Sequence, residues 1–257
     1  MSTRPIAVST GMGAIWKRLR SINPNIPTIP TYDEALVQIE ERTKEAESRQ
    51  WNEQVKHRAE YRRRTALGGS YIPERYQSAT FDNYEIYGGQ SQQRALEFAR
   101  NWVDDFLGNK CPKGFIFTGD TGTGKNHLAA AMCMGLIDKG VQAKLVSVTS
   151  LDHDRRAICF GNDSEMSERD FIKELAKVEL FILDEVGVST NTPSQMVFID
   201  QLIQRRADNG LPTGIISNMA IEDLAKHLGM RIMDRISEGS GAVINFSWGS
   251  YRKRGME

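Results

Sequence analysis

Neither sign of charge dominates this 257-residue chain, in which 33 Lys and Arg face 33 Asp and Glu. That balance argues against a protein that coats nucleic acid by bulk charge, while leaving room for a local basic patch. Long apolar runs are also missing: the longest span a few residues, far short of the roughly 20 needed to cross a bilayer. Cysteine is scarce. Cys111, Cys133 and Cys159 lie far apart and form no CxxC pair, and with only 4 histidines they outline no zinc site. So odd and sparse a set predicts reduced, mostly buried thiols in a cytosolic protein. The amino-terminal stretch has no apolar core of signal-peptide length before its basic cluster, so secretion is not expected. Hydrophobic residues at 40% and charged residues at 26% are ordinary for a globular protein.

Residues 1–30 carry Pro5, Pro24, Pro27 and Pro30 and cannot form one long helix. Between these prolines Ile15, Trp16, Leu19 and Ile22 recur at helical spacing beside Lys17, Arg18 and Arg20, which predicts a short amphipathic helix. Its apolar stripe could dock on its own domain or on a partner protein. From Asp33 to about Arg64 the chain is charged and free of Gly and Pro, as a long exposed helix requires. Leu36, Val37, Ile39 and Val55 give it only a narrow apolar face, and Arg62, Arg63 and Arg64 suit its C-terminal end. Residues 1–66 hold 12 Lys and Arg against 8 Asp and Glu, an excess of four positive charges. That run is expected to be a solvated face. Gly68 and Gly69 then break the helix, and a linker is expected there.

Beyond residue 90 the pattern changes. Short apolar strands are predicted at 114–118, 143–148, 179–183, 213–217 and 242–246, with helices near 91–107, 126–139, 167–177, 193–207 and 221–236. Strands alternating with helices imply a parallel sheet, because each crossover must return over the sheet. Leu128, Met132 and Leu136 stack as a buried stripe; Thr192-Pro193 reads as a helix cap and first turn, and Ser167 to Asp170 as a capping box.

The informative stretch is Gly119-Asp120-Thr121-Gly122-Thr123-Gly124-Lys125-Asn126, set between a strand and a helix, with His127 following. This is the phosphate-loop spacing GxxxxGK in the context it requires. Glycines let successive amides converge on a phosphate, and the next helix adds its free N-terminal N–H groups and positive dipole end. Lys125 would reach the β- and γ-phosphates. The next residue is Asn126, where a magnesium-ligating Ser or Thr is usual; an amide oxygen can still approach the ion, directly or through water. An acidic pair closes an apolar strand at Asp184-Glu185, 59 residues after Lys125. Asp184 would hold the magnesium shell and Glu185 would polarise the attacking water. Asn218, following the strand TGIIS, could sense the γ-phosphate or serve as a turn residue. Arg231 and Arg235 share one helix face, where one could reach a neighbouring subunit's γ-phosphate or simply pair with Asp234.

With GDTGTGKNHLAAAM, LFILDEVG, PTGIISNM, LGMRIMDRI and NFSWGSYR in this order, the chain resembles the DnaC-type bacterial replicative helicase loaders. These are AAA+ ATPases related to the initiator DnaA and the IstB-type transposition helpers. The resemblance runs from about Tyr76 to Arg254, and Asn126 looks like a trait of that family; over residues 1–66 it rests on a similar layout alone. It implies an α/β fold: an AAA+ P-loop ATPase with a five-stranded parallel sheet (91–257), preceded by a small α-helical N-terminal region (1–67) that binds the helicase, with a linker and adenine-side segment (68–90) between.

The resemblance further implies ATP or ADP and Mg²⁺ as ligands, a DnaB-type helicase hexamer and single-stranded DNA as partners, and self-association into a spiral, without a membrane. Localisation would be the bacterial cytoplasm, with the nucleoid during replication. Lys125 would be the Walker A lysine within the phosphate-binding set 119–127, Asp184 and Glu185 Walker B, Asn126 and Asp184 the metal ligands, and Asn218 sensor 1. Arg235 aligns best as the trans arginine finger, with Arg231 second; Arg252 could act like a sensor 2 arginine. Residues 150–178 would be an initiator-type helical insertion lining a DNA channel, with Arg155 and Arg156 as its basic residues, although HDRR more often marks a solvated loop. The expected activity is a weak ATPase stimulated by DNA and helicase, loading the helicase at replication initiation or restart. An IstB-like transposition helper, or a nucleotide-binding adaptor with little hydrolysis, remains open as an alternative.

Overall fold

The structure, a computed structural model, describes residues 15, 18–19, 21–24, 32–161, 166–188, 192–237 and 241–253. Two compact units divide the chain, Met1–His57 and Arg58–Glu257. In the first, Ile15, Leu19 and Ile22 are helical and exposed, whereas Trp16, Lys17 and Arg20 of the expected amphipathic helix lie outside the described residues. Helix α1 (Tyr32–Gly68) begins here, close to its predicted bounds, and Val37, Ile39, Trp51 and Val55 are exposed on it.

The second unit is a five-stranded sheet of β1 (Phe115–Gly119), β2 (Ala143–Ser147), β3 (Leu180–Asp184), β4 (Thr213–Ile216) and β5 (Ala242–Phe246). All pairs are parallel and the order is β2-β3-β4-β1-β5. Helices follow as α2 (Gly89–Leu107), α3 (Lys125–Ile137), α4 (Val148–Phe160), α5 (Glu168–Leu175), α6 (Pro193–Asp208), α7 (Ile221–Leu228) and α8 (Met230–Ser237). The inner strands are apolar on both faces because helices cover both. Phe115, Phe117, Leu180 and Ile182 pack with α2 and α3 on one side; Ile116, Phe181, Leu183 and Ile215 pack with the helices α4 to α8 on the other. The chain therefore leaves β1 over one face, through α3, and leaves β3 over the other, through α6. That reversal opens a crevice beyond the carboxyl ends of β1, β3 and β4.

The caps read from sequence are present: Thr192 and Ser167 accept hydrogen bonds from the N–H groups of Gln195 and Asp170. Helix α3 exceeds its predicted stripe, since Ala129, Ala130, Cys133 and Met134 are buried along with Leu128, Met132 and Leu136. It is enclosed nearly all round.

Four expectations change. The predicted helix 221–236 is two helices, interrupted at Gly229. HDRR lies within α4 and is not a loop; Arg155 is buried. Of the three thiols only Cys133 is buried, Cys159 is half-buried and Cys111 is exposed, because Cys111 sits in the irregular stretch between α2 and β1. The segment after Gly68 is not a free linker. Ser70 O accepts the Leu145 N–H at 2.9 Å, extending the edge of β2, while Lys144 Nζ bonds the Gly69 carbonyl and the Tyr71 hydroxyl donates to Asp154 at 2.5 Å. The last turns of α1 also belong to this second unit, where Arg63 pairs with Asp138 at 2.6 Å.

At the far end of the sheet Arg206 is fully buried. Its guanidinium donates to the carbonyls of Val178 and Pro212, each at 2.7 Å, and to Thr213 Oγ1 at 3.0 Å. Burial pulls its pKa down to about 9. One cation thereby ties together the starts of β3 and β4.

Candidate functional site

The loop between β1 and α3 walls a cleft of about 440 Å³, within the range of small-molecule sites. Gly122 and Gly124 have φ of +84° and +96°, a region that side chains disfavour. A Cβ would also meet Ser250 Oγ at 2.1 Å from Gly122 and the Tyr84 ring at 2.9 Å from Gly124. Bare backbone is what fits there. Thr123 Oγ1 donates to Asp120 O at 2.8 Å and tightens the turn.

Lys125 is 4% exposed, and its Nζ donates to Gly119 O at 2.5 Å and Asp120 O at 2.8 Å. Burial pulls its pKa down to about 8, against the opposing pull of the Asp184 and Asp120 carboxylates. Asp184 closes β3 facing it. Burial raises the Asp184 pKa, and the Glu185 charge adds to this; the Glu185 N–H (2.7 Å to Oδ1), the Asn126 amide and Lys125 pull it back. Asn126, expected as a metal ligand, uses its Nδ2 as a donor to Asp184, leaving its carbonyl oxygen as the group able to face a cation. Glu185 lies exposed at φ +59°, a left-handed position rare for a glutamate. The chain beyond it is tied to the end of β4: Ser217 Oγ donates to Val186 O at 2.7 Å and Val186 N to Ile216 O at 3.1 Å. That brings Asn218 to the cleft wall beside Asp184, Glu185, Thr121 and Lys125.

His127, expected among the phosphate-binding residues, lines the cleft and also contacts the 80–84 segment. Its Nε2 lies 2.9 Å from Asn83 Oδ1 and 3.2 Å from Thr80 O, and its ring is 5.4 Å from that of Tyr84. It holds the 80–84 segment against α3. The two arginines of α8 also separate. Arg235, expected as the arginine finger, donates to Asp200 Oδ1 of α6 at 2.8 Å, with its side chain 16% exposed. Its partner is Asp200, not the neighbouring Asp234 that sequence offered. Arg231, one turn earlier, is exposed. Arg155 does not serve as an exposed basic residue either: it bonds Asp152 at 2.7 Å, Glu168 at 2.9 Å and Ser194 at 3.0 Å. Arg156 pairs with the same Asp152.

Two contributors escaped sequence reasoning, and a third segment was read only at Arg252. Buried Gln92 accepts the Tyr87 and Gly88 N–H groups at 2.7 and 2.6 Å and donates to Glu85 O at 2.8 Å, which shapes the segment 85–88 along the cleft. Tyr84, whose pKa burial raises to about 12, covers Gly124. The segment after β5 brings Trp248, Tyr251 and Arg252 to the same loop. A glutamine one turn inside a helix carries no local signal. NFSWGSYR marked Arg252 in the last group, but not Trp248, Tyr251 or the loop they meet.

Chemically, the cleft offers N–H groups and an ammonium on one wall and oxygen ligands on the other. That donor set fits a polyphosphate beside a hard divalent cation, with Asn126 and Asp184 able to hold the ion.

Comparison with known proteins also points to ATP as the nucleotide. A model of the IstB-like ATP binding protein family matches residues 50–256. The replicative helicase loader DnaC of Escherichia coli (strain K12) is 38% identical over 70% of this chain and 71% of its own length. The crystal structure of the DnaC helicase loader aligns at a TM-score of 0.58 and 26% identity, covering 67% of this chain and 99% of that one. AMPPCP-bound DnaA from Aquifex aeolicus gives 0.54 at 18% identity over 68% of this chain and 51% of that one, a likeness of fold.

Proposed function

The chain belongs to the IstB-like ATP-binding protein family, and on that premise we propose that it is an ATP-controlled loader of the replicative DNA helicase. The observation that carries this is the 38% identity to the DnaC loader over 70% of this chain. In this reading residues 1–67 grip a DnaB-type hexamer, 68–90 link and flank the adenine, and 91–257 bind ATP, assemble into a spiral and hold single-stranded DNA. The protein opens the helicase ring, delivers it at replication initiation or restart, and works in the bacterial cytoplasm at the nucleoid.

The amides of 119–126 and Lys125 receive the phosphates, replacing water with fixed dipoles and one desolvated cation. Asn126 and Asp184 would hold magnesium, which would supply positive charge to offset that of the phosphates. Glu185 orients and polarises the water, and Asn218 lines it up with the terminal phosphate. Arg231, exposed on α8, is the residue able to reach a neighbour's phosphate, whereas Arg235, tethered to Asp200, positions the helix that carries it. Arg252 on the cleft wall contributes a second positive charge. Hydrolysis is weak in the isolated chain because its arginine acts on the adjoining protomer, so DNA and helicase stimulate it by bringing protomers together.

The test is electron microscopy of the full chain mixed with its host's replicative helicase, an ATP analogue and a short single strand. A helicase ring opened beside a spiral of this protein is expected; failure to bind the helicase in any nucleotide state sinks the proposal. The family model matched over 50–256 favours one second reading, a transposition helper. ATP-dependent wrapping of duplex DNA without helicase capture would establish that instead. If Glu185→Gln turns over ATP as fast as the wild type in the presence of both partners, the chain is a nucleotide-binding adaptor.

A further inference from the structure

The segment after β5 touches the phosphate loop at consecutive carbonyls. Trp248 Nε1 donates to Thr123 O at 2.8 Å, and the Tyr251 N–H donates to Gly122 O at 2.8 Å. The Trp248 ring, 8% exposed, packs 4.8 Å from the Phe246 ring on one side. On another it fills the space where Gly88 lacks a side chain: a Cβ at Gly88 would come within 2.5 Å of it. Gly88 is itself held by the buried Gln92, at 2.6 Å. Ser250 occupies the corresponding space at Gly122.

In a planar trans peptide the C=O of one residue and the N–H of the next point in opposite directions. Anchoring Gly122 O and Thr123 O on the 248–251 segment therefore turns the N–H groups of Thr123 and Gly124 to the opposite side. Both residues line the cleft. A flexible glycine-rich turn can rotate these peptide planes, and a rotated plane would present an oxygen to the phosphate.

We propose that Trp248 is a positioning residue for nucleotide binding: its indole N–H fixes the peptide planes of the phosphate loop, and its ring locks that loop to the segment 84–88. The 247–253 segment is thus a strap that sets the phosphate loop for binding. The inference rests on the reading of this cleft as an ATP site, and assigns a role within it to Trp248, which does not line the cleft itself.

The test compares the full chain with Trp248→Phe, which keeps a ring and removes the donor. Calorimetry gives the affinities for ADP, ATP and adenosine, and thermal melting without nucleotide checks folding. ADP and ATP should bind about three- to tenfold more weakly, the range expected for one lost hydrogen bond, while adenosine affinity stays unchanged. An equal loss for adenosine and ADP would make the ring a mere packing element and overturn the proposal, as would no loss at all. Hydrogen exchange adds a readout independent of the variant's affinity. The peptide covering 120–126 should exchange faster in nucleotide-free Trp248→Phe, with the strand peptides unaltered. Should that variant not fold, wild-type exchange decides: ADP must protect 247–253 together with 120–126, and protection of the loop alone overturns the strap. A wild-type chain that binds ADP no better than adenosine sinks the ATP reading itself, a distinguishable result.

Discussion

The side-chain amide of Asn126 donates a hydrogen bond to the carboxylate of Asp184 across 58 positions of sequence. An amide can do this and still keep its carbonyl oxygen for a cation, so the pair couples the helix after the phosphate loop to the end of β3. The residue in the usual serine or threonine position thereby holds the acid in place.

Removing that donor should expose the coupling. Burial already raises the Asp184 pKa, and Asn126→Ala raises it further. The gain in ATP affinity that magnesium confers should shrink by about tenfold, the scale of one hydrogen bond to a charged group. Asn126→Thr, which retains a hydroxyl, should recover most of it. Calorimetry with and without Mg²⁺ reads this directly; an alanine variant with wild-type magnesium dependence refutes the pairing.

Lys125 gives a pH signature. Its folded-state pKa is pulled down to about 8 from 10.5, so between those values the unfolded chain binds more protons, and the stability of the nucleotide-free protein gains from this group as pH rises. Phosphate binding favours the charged lysine, so ATP affinity should fall above pH 8 by up to about tenfold per pH unit. Lys125→Arg should flatten that fall, and Lys125→Ala should abolish ATP binding while helicase capture persists. A flat wild-type profile between pH 7 and 9 removes the lysine from the phosphate site.

The two arginines of α8 should divide by assay. Arg231→Ala is expected to melt like the wild type, to bind ATP normally as a monomer, and to lose partner-stimulated hydrolysis by at least about 10³-fold, as trans arginines do. Arg235→Ala frees Asp200 and should cost about 1 kcal/mol of stability, modest because the acid is partly exposed. If Arg235→Ala melts normally and Arg231→Ala hydrolyses normally in the assembled complex, the roles are reversed.

Glu185 stands at φ +59°. Glycine is at ease there, so Glu185→Gly should be more stable than the wild type by about 1 kcal/mol yet hydrolyse no ATP, whereas Glu185→Gln should lose turnover with unchanged stability. Denaturant melts beside a phosphate-release assay measure both. A Glu185→Gly variant less stable than the wild type argues that the left-handed backbone carries no strain.

How much could be read beforehand differs by element. The five strands were legible within a residue or so because the inner ones, buried on both faces, are nearly continuous apolar runs, and the edge strands β2 and β5 keep short apolar runs of their own. The caps at Thr192 and Ser167 were legible because their partners lie three residues away. The helix break at Gly229 was hidden within an unbroken apolar period. Helix α4 was anticipated only through the helical insertion over 150–178 that the resemblance implies, since HDRR by itself looks solvated; Arg155 is buried where Glu168 and Ser194 arrive from α5 and α6.

The candidate site divides in the same way. The phosphate loop and the two acids were visible because each is a local pattern whose geometry its own strand and helix enforce. The partners of His127 and Arg235 were not legible, because what a long polar side chain bonds depends on which element lies opposite.

Sequence alone determined the α/β alternation, the glycine spacing that leaves bare amides, and the two carboxylates at a strand end. These depend on backbone preference and burial within a few residues. Tertiary structure alone decided which arginine is tied down, how Asn126 meets Asp184, and that Trp248, more than 120 positions away, holds Thr123. Those pairings join segments that only the order of the strands in the sheet brings together.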